Sequence, residues 1–266
     1  MKSELKRAVF KKSNLLLIFM IVSLMLINTY YSGWKTALSA GRSQDLLELG
    51  NDMVEYYEKY FGNVFRVWKD GYYTVQALTP LFLVAPYITT MLTEKNNHFR
   101  YFCTSRKGNR KYVTQKLMAI VLSGTLIFAL SELLFAGLTY LKTAHDTELE
   151  YIQDIVSYRA DCFISNPFRY FGMIYILHVV YYLCFLIFAV GITSFIKNRI
   201  AVVIVPFIVT SLLDMGLPTE LQPYVVMRPY YFSFSLKGYI ILNLLYVLVG
   251  IAVLIISEIS YARKGN

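Results

Sequence analysis

Six apolar runs, at residues 15–31, 73–92, 117–141, 170–196, 200–213 and 238–257, divide the chain, and the charged residues lie almost wholly between them. Runs this long and this poor in charge suit helices that cross a bilayer, where backbone amides must be satisfied within the segment. Placing the intervening segments on alternate sides sorts the charges. With the N-terminus inside, the inner segments collect 16 of the 26 basic residues against three acids, Glu4, Glu94 and Glu258. The outer segments then hold 10 basic residues and 13 acids. Cationic loops stay on the side where they are made. The expectation is an all-α integral membrane protein of six transmembrane helices, one membrane domain over residues 1–266, with both termini cytoplasmic.

A hydrophobic share of 56% against 16% charged residues fits that class better than a soluble core. The net charge of +9 would point a soluble protein toward nucleic acid, but here the topology already places the excess on one face, so no nucleic-acid partner is expected. Cys103, Cys162 and Cys184 fall in an inner loop, an outer loop and the fourth run, which argues against a disulfide within the chain. The basic start and first run also read as a secretory signal, with small residues at 37–40. The 17-residue run ends well before them, and a retained first helix is the preferred reading. The absence of any Asn-x-Ser/Thr sequon fits a bacterial inner membrane.

Between the runs, residues 1–14 read either as an amphipathic helix in the headgroup layer, with Leu5, Ala8, Val9 and Lys12 at helical spacing, or as a disordered basic tail. Two long outer loops, 32–72 and 142–169, follow the first and third runs, and the first of them reads as partly helical and partly interfacial. Tyr30, Tyr31, Trp34, Tyr72, Tyr73, Tyr140, Tyr170, Tyr230, Tyr231 and Tyr261 mark the run ends, as expected of rings anchored at a membrane border. Pro80 and Pro86 interrupt the second run and Pro206 the fifth. The fifth run, at 14 residues, reaches only about 21 Å and needs something to complete the crossing. The next segment, 214–237, holds four charges and three prolines among many apolar residues, and reads as short helices re-entering the outer leaflet. The alternative is a surface hairpin packed over the bundle.

The inner loop 93–116 is the most distinctive stretch. Phe99, Phe102 and Cys103 fall at i, i+3 and i+4 among Arg100, Arg106 and Lys107, which predicts a short amphipathic helix before Gly108 and Asn109. Such a helix needs a surface. That surface is either a soluble partner or anionic lipid. Inside the spans, Glu132 and His178 each lie eight residues from a border, roughly 12 Å deep, on facing runs. They read as an intramembrane polar pair that fixes packing, or as a contact for substrate or protons. Gln76, Asn243 and Asn28 read as helix-to-helix glue. No metal site is expected, since the three histidines are scattered and no His-Glu-x-x-His or Cys-x-x-Cys occurs; no Gly-x-Ser-x-Gly occurs either, so catalysis is disfavoured.

The layout as a whole resembles the membrane subunits of the ABC-2 exporter family. The likeness rests on the basic lead-in, the large first outer loop, Glu94 followed by the run 106–112 (Arg-Lys-Gly-Asn-Arg-Lys-Tyr) and Lys116, and the weakly charged hairpin between runs five and six. It implies a permease that lines a substrate path, paired with a second permease chain. Coupling to a separate ABC ATPase subunit would run through Glu94, Phe99, Arg100, Phe102, Arg106, Lys107 and Arg110. It also implies a re-entrant hairpin carrying Tyr224, Met227, Arg228 and Tyr230 over the path. This chain has no Gly-x-x-x-x-Gly-Lys-Ser/Thr, so ATP and Mg²⁺ would be bound by the partner and no cofactor by this chain. Two other classes stay open: a non-transporting immunity or sensor protein that holds a ligand in its outer loops, and an intramembrane enzyme using Glu132 and His178.

Overall fold

A computed structural model describes residues 8–97, 99–145 and 158–264. The chain is helical, with no strand among the described residues and one isolated bridge between Asn63 and Ala144. Six of its helical segments are long and apolar enough to cross a membrane. The first comprises α1 (Lys12–Thr29), a π-turn (Tyr30–Trp34) and α2 (Lys35–Ser39). Next come α3 (Gln44–Leu49), α4 (Asn51–Gly62), α5 (Val64–Val84) and α6 (Ile88–Asn96). They lead to α7 (Phe99–Lys107), α8 (Asn109–Tyr140), α9 (Ala160–Ser165) and α10 (Pro167–Thr193). The chain ends with α11 (Arg199–Gly216), the single turn α12 (Pro223–Val226) and α13 (Leu236–Lys264).

Local sequence sets several of these boundaries. The side chains of Asn63, Asn166 and Asn198 accept the N–H of Phe65, Arg169, and both Ile200 and Ala201, capping α5, α10 and α11. Pro167 opens α10 at a position where no N–H is needed. Gly108, with φ of +76°, lets the chain leave α7 and enter α8 at once. Pro86 lies in the break between α5 and α6, whereas Pro80 and Pro206 sit inside continuous helices.

Two boundaries differ from expectation. The helix of the second span starts at Val64, nine residues before the expected run at Tyr73, so that it follows directly on the helices of residues 32–62. The fifth helix has 18 residues, not 14, and spans about 27 Å, close to a hydrocarbon core. Its extension holds because the Asp214 carboxylate accepts the backbone N–H of Tyr224, at 2.7 Å, instead of meeting lipid.

The bundle forms around α10, which runs along α13 and also packs on α8, while α1, α5 and α8 pack on one another and α11 leans on α5 and α6. The α10–α13 crossing is close because it meets at Gly191 and Gly250: a Cβ on Gly191 would strike the Gly250 carbonyl, and one on Gly250 would lie 2.6 Å from the Ile187 carbonyl oxygen. Opposite the seam, Ile240, Leu244, Leu248, Ile251, Ile255 and Ile259 form an outward apolar stripe on α13. Ile200, Ile204, Ile208 and Leu212 do the same on α11. Outward stripes of this size suit lipid and not water.

Residues 214–237 form a hairpin of a 3₁₀ turn (Thr219–Leu221) and α12, packed against α11 and α13, with Val225 to Tyr230 buried. Of the predicted border aromatics, Tyr72, Tyr170 and Tyr230 are buried in the bundle instead, whereas Tyr31, Tyr73 and Tyr140 are exposed. Residues 1–7 of the predicted interfacial segment and 146–157 of the second long loop lie outside the described residues.

Candidate functional site

Three polar clusters break the apolar interior. At the α7 end, Glu94 of α6 is buried, accepting Lys116 Nζ at 2.6 Å and Tyr112 OH at 2.8 Å from α8. At the start of α7, the buried Arg100 donates to Asn109 Oδ1 at 2.9 Å and pairs with Glu258 of α13, which also accepts Asn109 Nδ2 at 2.9 Å. The Arg100 guanidinium lies 4.1 Å from the centre of the Tyr261 ring. Two acids from the basic side thus tie α6, α7, α8 and α13 into one unit.

That arrangement leaves the two phenylalanines of α7 outward and turns Arg100 inward. Arg100, Cys103 and Thr104 face inward, while Phe99, Tyr101, Phe102 and Arg106 face outward, with Phe102 67% exposed. Lys107 is the last residue of α7, and Arg110 and Lys111 are exposed at the start of α8. Of the residues expected to meet a partner, Glu94 and Arg100 are therefore buried and contact neighbouring helices. Their partners lie on other helices, so nothing in the local spacing separated them from the outward-facing set.

Midway along the bundle, Glu132 and His178 do meet: His178 Nδ1 lies 2.9 Å from Glu132 Oε1, and both residues are buried. Tyr182 OH donates to the other carboxylate oxygen at 3.3 Å and lies 3.0 Å from Tyr72 OH. The imidazole stacks on Tyr72, ring centres 4.2 Å apart, and Trp68 stacks on Tyr72 in turn. Sequence reasoning found the pair by its depth but missed Trp68, Tyr72 and Tyr182. A tyrosine within an apolar run or at its border gives no sign of a distant hydroxyl or carboxylate.

At the hairpin end, Arg228 is buried beneath the turn after α12. It donates to Gln76 Oε1 and Tyr224 OH, with its guanidinium 3.5 Å from the Tyr224 ring centre and 3.8 Å from that of Tyr73. Burial pushes its pKa down from the ordinary arginine value, against the opposing pull of Tyr230 and Tyr73. Gln76 Nε2 donates to the Tyr224 carbonyl at 3.1 Å, so this residue clasps the hairpin and not another span. Met227 and Tyr230 are buried beside it, and the Tyr230 ring lies edge-on to Trp68. Of the other expected glue residues, Asn28 does bridge helices, donating to the Asp70 carbonyl of α5. Asn243 donates to Tyr239 of its own helix instead.

Chemically, the α7 end offers an aromatic and cationic outer face on a braced helix, and the middle offers one buried carboxylate among aromatic rings. No protein-family model, curated protein or solved structure matches the chain.

Proposed function

We propose that the chain is the membrane-spanning permease of an exporter driven by a separate ABC ATPase that binds ATP and Mg²⁺, docking under α7 on the cytoplasmic side of a bacterial inner membrane. A single observation carries this reading. The outward face of α7 presents Phe99, Phe102 and Arg106, while its inward face is latched through Arg100 to α8 and α13. A helix exposed on one side and ion-paired on the other passes a displacement into the spans instead of absorbing it by local unfolding. Aromatic residues and arginine are also the side chains most enriched in protein interfaces. Glu94 and Arg100 then serve as braces, and Phe99, Tyr101, Phe102, Arg106 and Arg110 as contact residues. The hairpin dips into the outer leaflet over the substrate path, and a second permease chain completes that path.

The test is recovery of ATP hydrolysis with the affinity-purified chain from native membranes in mild detergent. The intact chain is expected to bring ATPase activity with it. Phe99→Ala combined with Phe102→Ala should lower that activity at least fivefold with no change in the thermal unfolding of the membrane part. If the helix lies on anionic lipid only, the double variant keeps whatever ATPase the parent recovers, or the parent recovers none.

A further inference from the structure

A second site lies away from α7. Between α5, α8 and α10, toward the hairpin end, is a cavity of about 460 Å³, within the range that accepts a drug-sized ligand. Phe65, Trp68, Phe168, Phe171 and Tyr175 contribute aromatic rings to its lining, Glu132 contributes the one carboxylate, and no lysine or arginine is among the lining residues. Leu133, Tyr140 and Phe168, which also line it, are exposed on the outer surface of the bundle, so the cavity has an open side there.

Two of its walls lack side chains. A Cβ on Gly137 of α8 or Gly172 of α10 would meet no heavy atom within 4 Å. At Gly71, Gly124, Gly191 and Gly250 it would run into packed neighbours. Glycine inside a helix is destabilising relative to alanine, and at positions 137 and 172 no packing contact requires it. What these two residues do is leave the cavity open.

The hydrogen bonds around Glu132 leave it room for a further donor. A carboxylate accepts about four hydrogen bonds, and here it receives two, from His178 Nδ1 and Tyr182 OH. His178 Nε2 is buried with no hydrogen-bond partner. The lining thus combines aromatic rings, a residue whose carboxylate has acceptor capacity to spare and no basic side chain, a set that favours a cation.

We propose that this cavity binds a lipophilic organic cation, an amine or onium group carrying apolar bulk, that enters from the lipid and sets its charge against Glu132. The site belongs to one chain and stands whether or not an ATPase drives it.

The experiment is equilibrium binding of tetraphenylphosphonium to the purified full chain in detergent, with tetraphenylborate as the anion of nearly the same shape. Saturable binding of the cation is expected, at least tenfold tighter than of the anion. Glu132→Gln should weaken it tenfold or more. Gly172→Leu, which leaves Glu132 in place and fills the cavity, should abolish it without lowering the unfolding temperature, and so decides the matter if the Glu132 variant does not fold. Equal affinity for both ions, no saturable binding, or undiminished binding by Gly172→Leu would overturn the proposal. So would binding by a folded Glu132→Gln chain at parental affinity, the result expected of an acyl-chain groove.

Discussion

Lys116 is among the largest fully buried side chains of the molecule, and its ammonium is tolerated there because Glu94 lies 2.6 Å away with Tyr112 on its second oxygen. Breaking such a pair by removing one partner strands a charge, whereas replacing both leaves none. Lys116→Met is accordingly expected to destabilise the chain by about 3–5 kcal/mol, and Glu94→Gln combined with Lys116→Met to recover most of the loss. Thermal unfolding of the two variants in one detergent checks this. A double variant no more stable than the single would show that the ion pair is not what the site requires. The sequence placed Glu94 and Lys116 in one loop as isolated charges. It could not pair them, because the pairing depends on how α6 and α8 come side by side.

At the scale of elements, the α10–α13 seam depends on two residues without side chains. Gly250→Leu would force a branched side chain against the Ile187 carbonyl and the Phe188 backbone, where no rotamer change makes room. Overpacking of this kind costs about 1–3 kcal/mol or more, and the variant should unfold at lower temperature than its parent. A variant with parental stability would mean that the seam is looser than its geometry. The short helix α7 was legible from the spacing of 99, 102 and 103, and Phe99 and Phe102 are exposed as a helix that needs an outside surface requires. What the spacing did not show is that Arg100 turns inward, because Glu258 and Asn109, brought by two other helices, satisfy the guanidinium there.

For the molecule as a whole, the charge asymmetry that suggests a cytoplasmic α7 is open to a direct check. In a chain with its three cysteines changed to serine, Arg106→Cys should react with a membrane-impermeant maleimide only after the inner face is opened, and Glu48→Cys in intact cells. Labelling of Arg106→Cys in intact cells would invert the topology and remove the docking surface from the side where ATP is made.

Six membrane-length apolar helices, the short helix between the second and third of them, and the pairing of Glu132 with His178 were readable along the chain. Each follows from composition within one segment or from counting residues at a fixed helical rise. The folded structure alone decided which residues share a partner: the Arg100 latch, the hydroxyl chain from Tyr72 through Tyr182 to Glu132, the Gln76 and Arg228 clasp, and the cavity beneath Gly137 and Gly172. In a membrane the lipid-facing and core-facing sides of a helix are both apolar, so hydrophobicity places a segment in the bilayer without saying which way it turns. That rotation is settled by a few buried polar groups and close glycine contacts, whose partners lie on other helices.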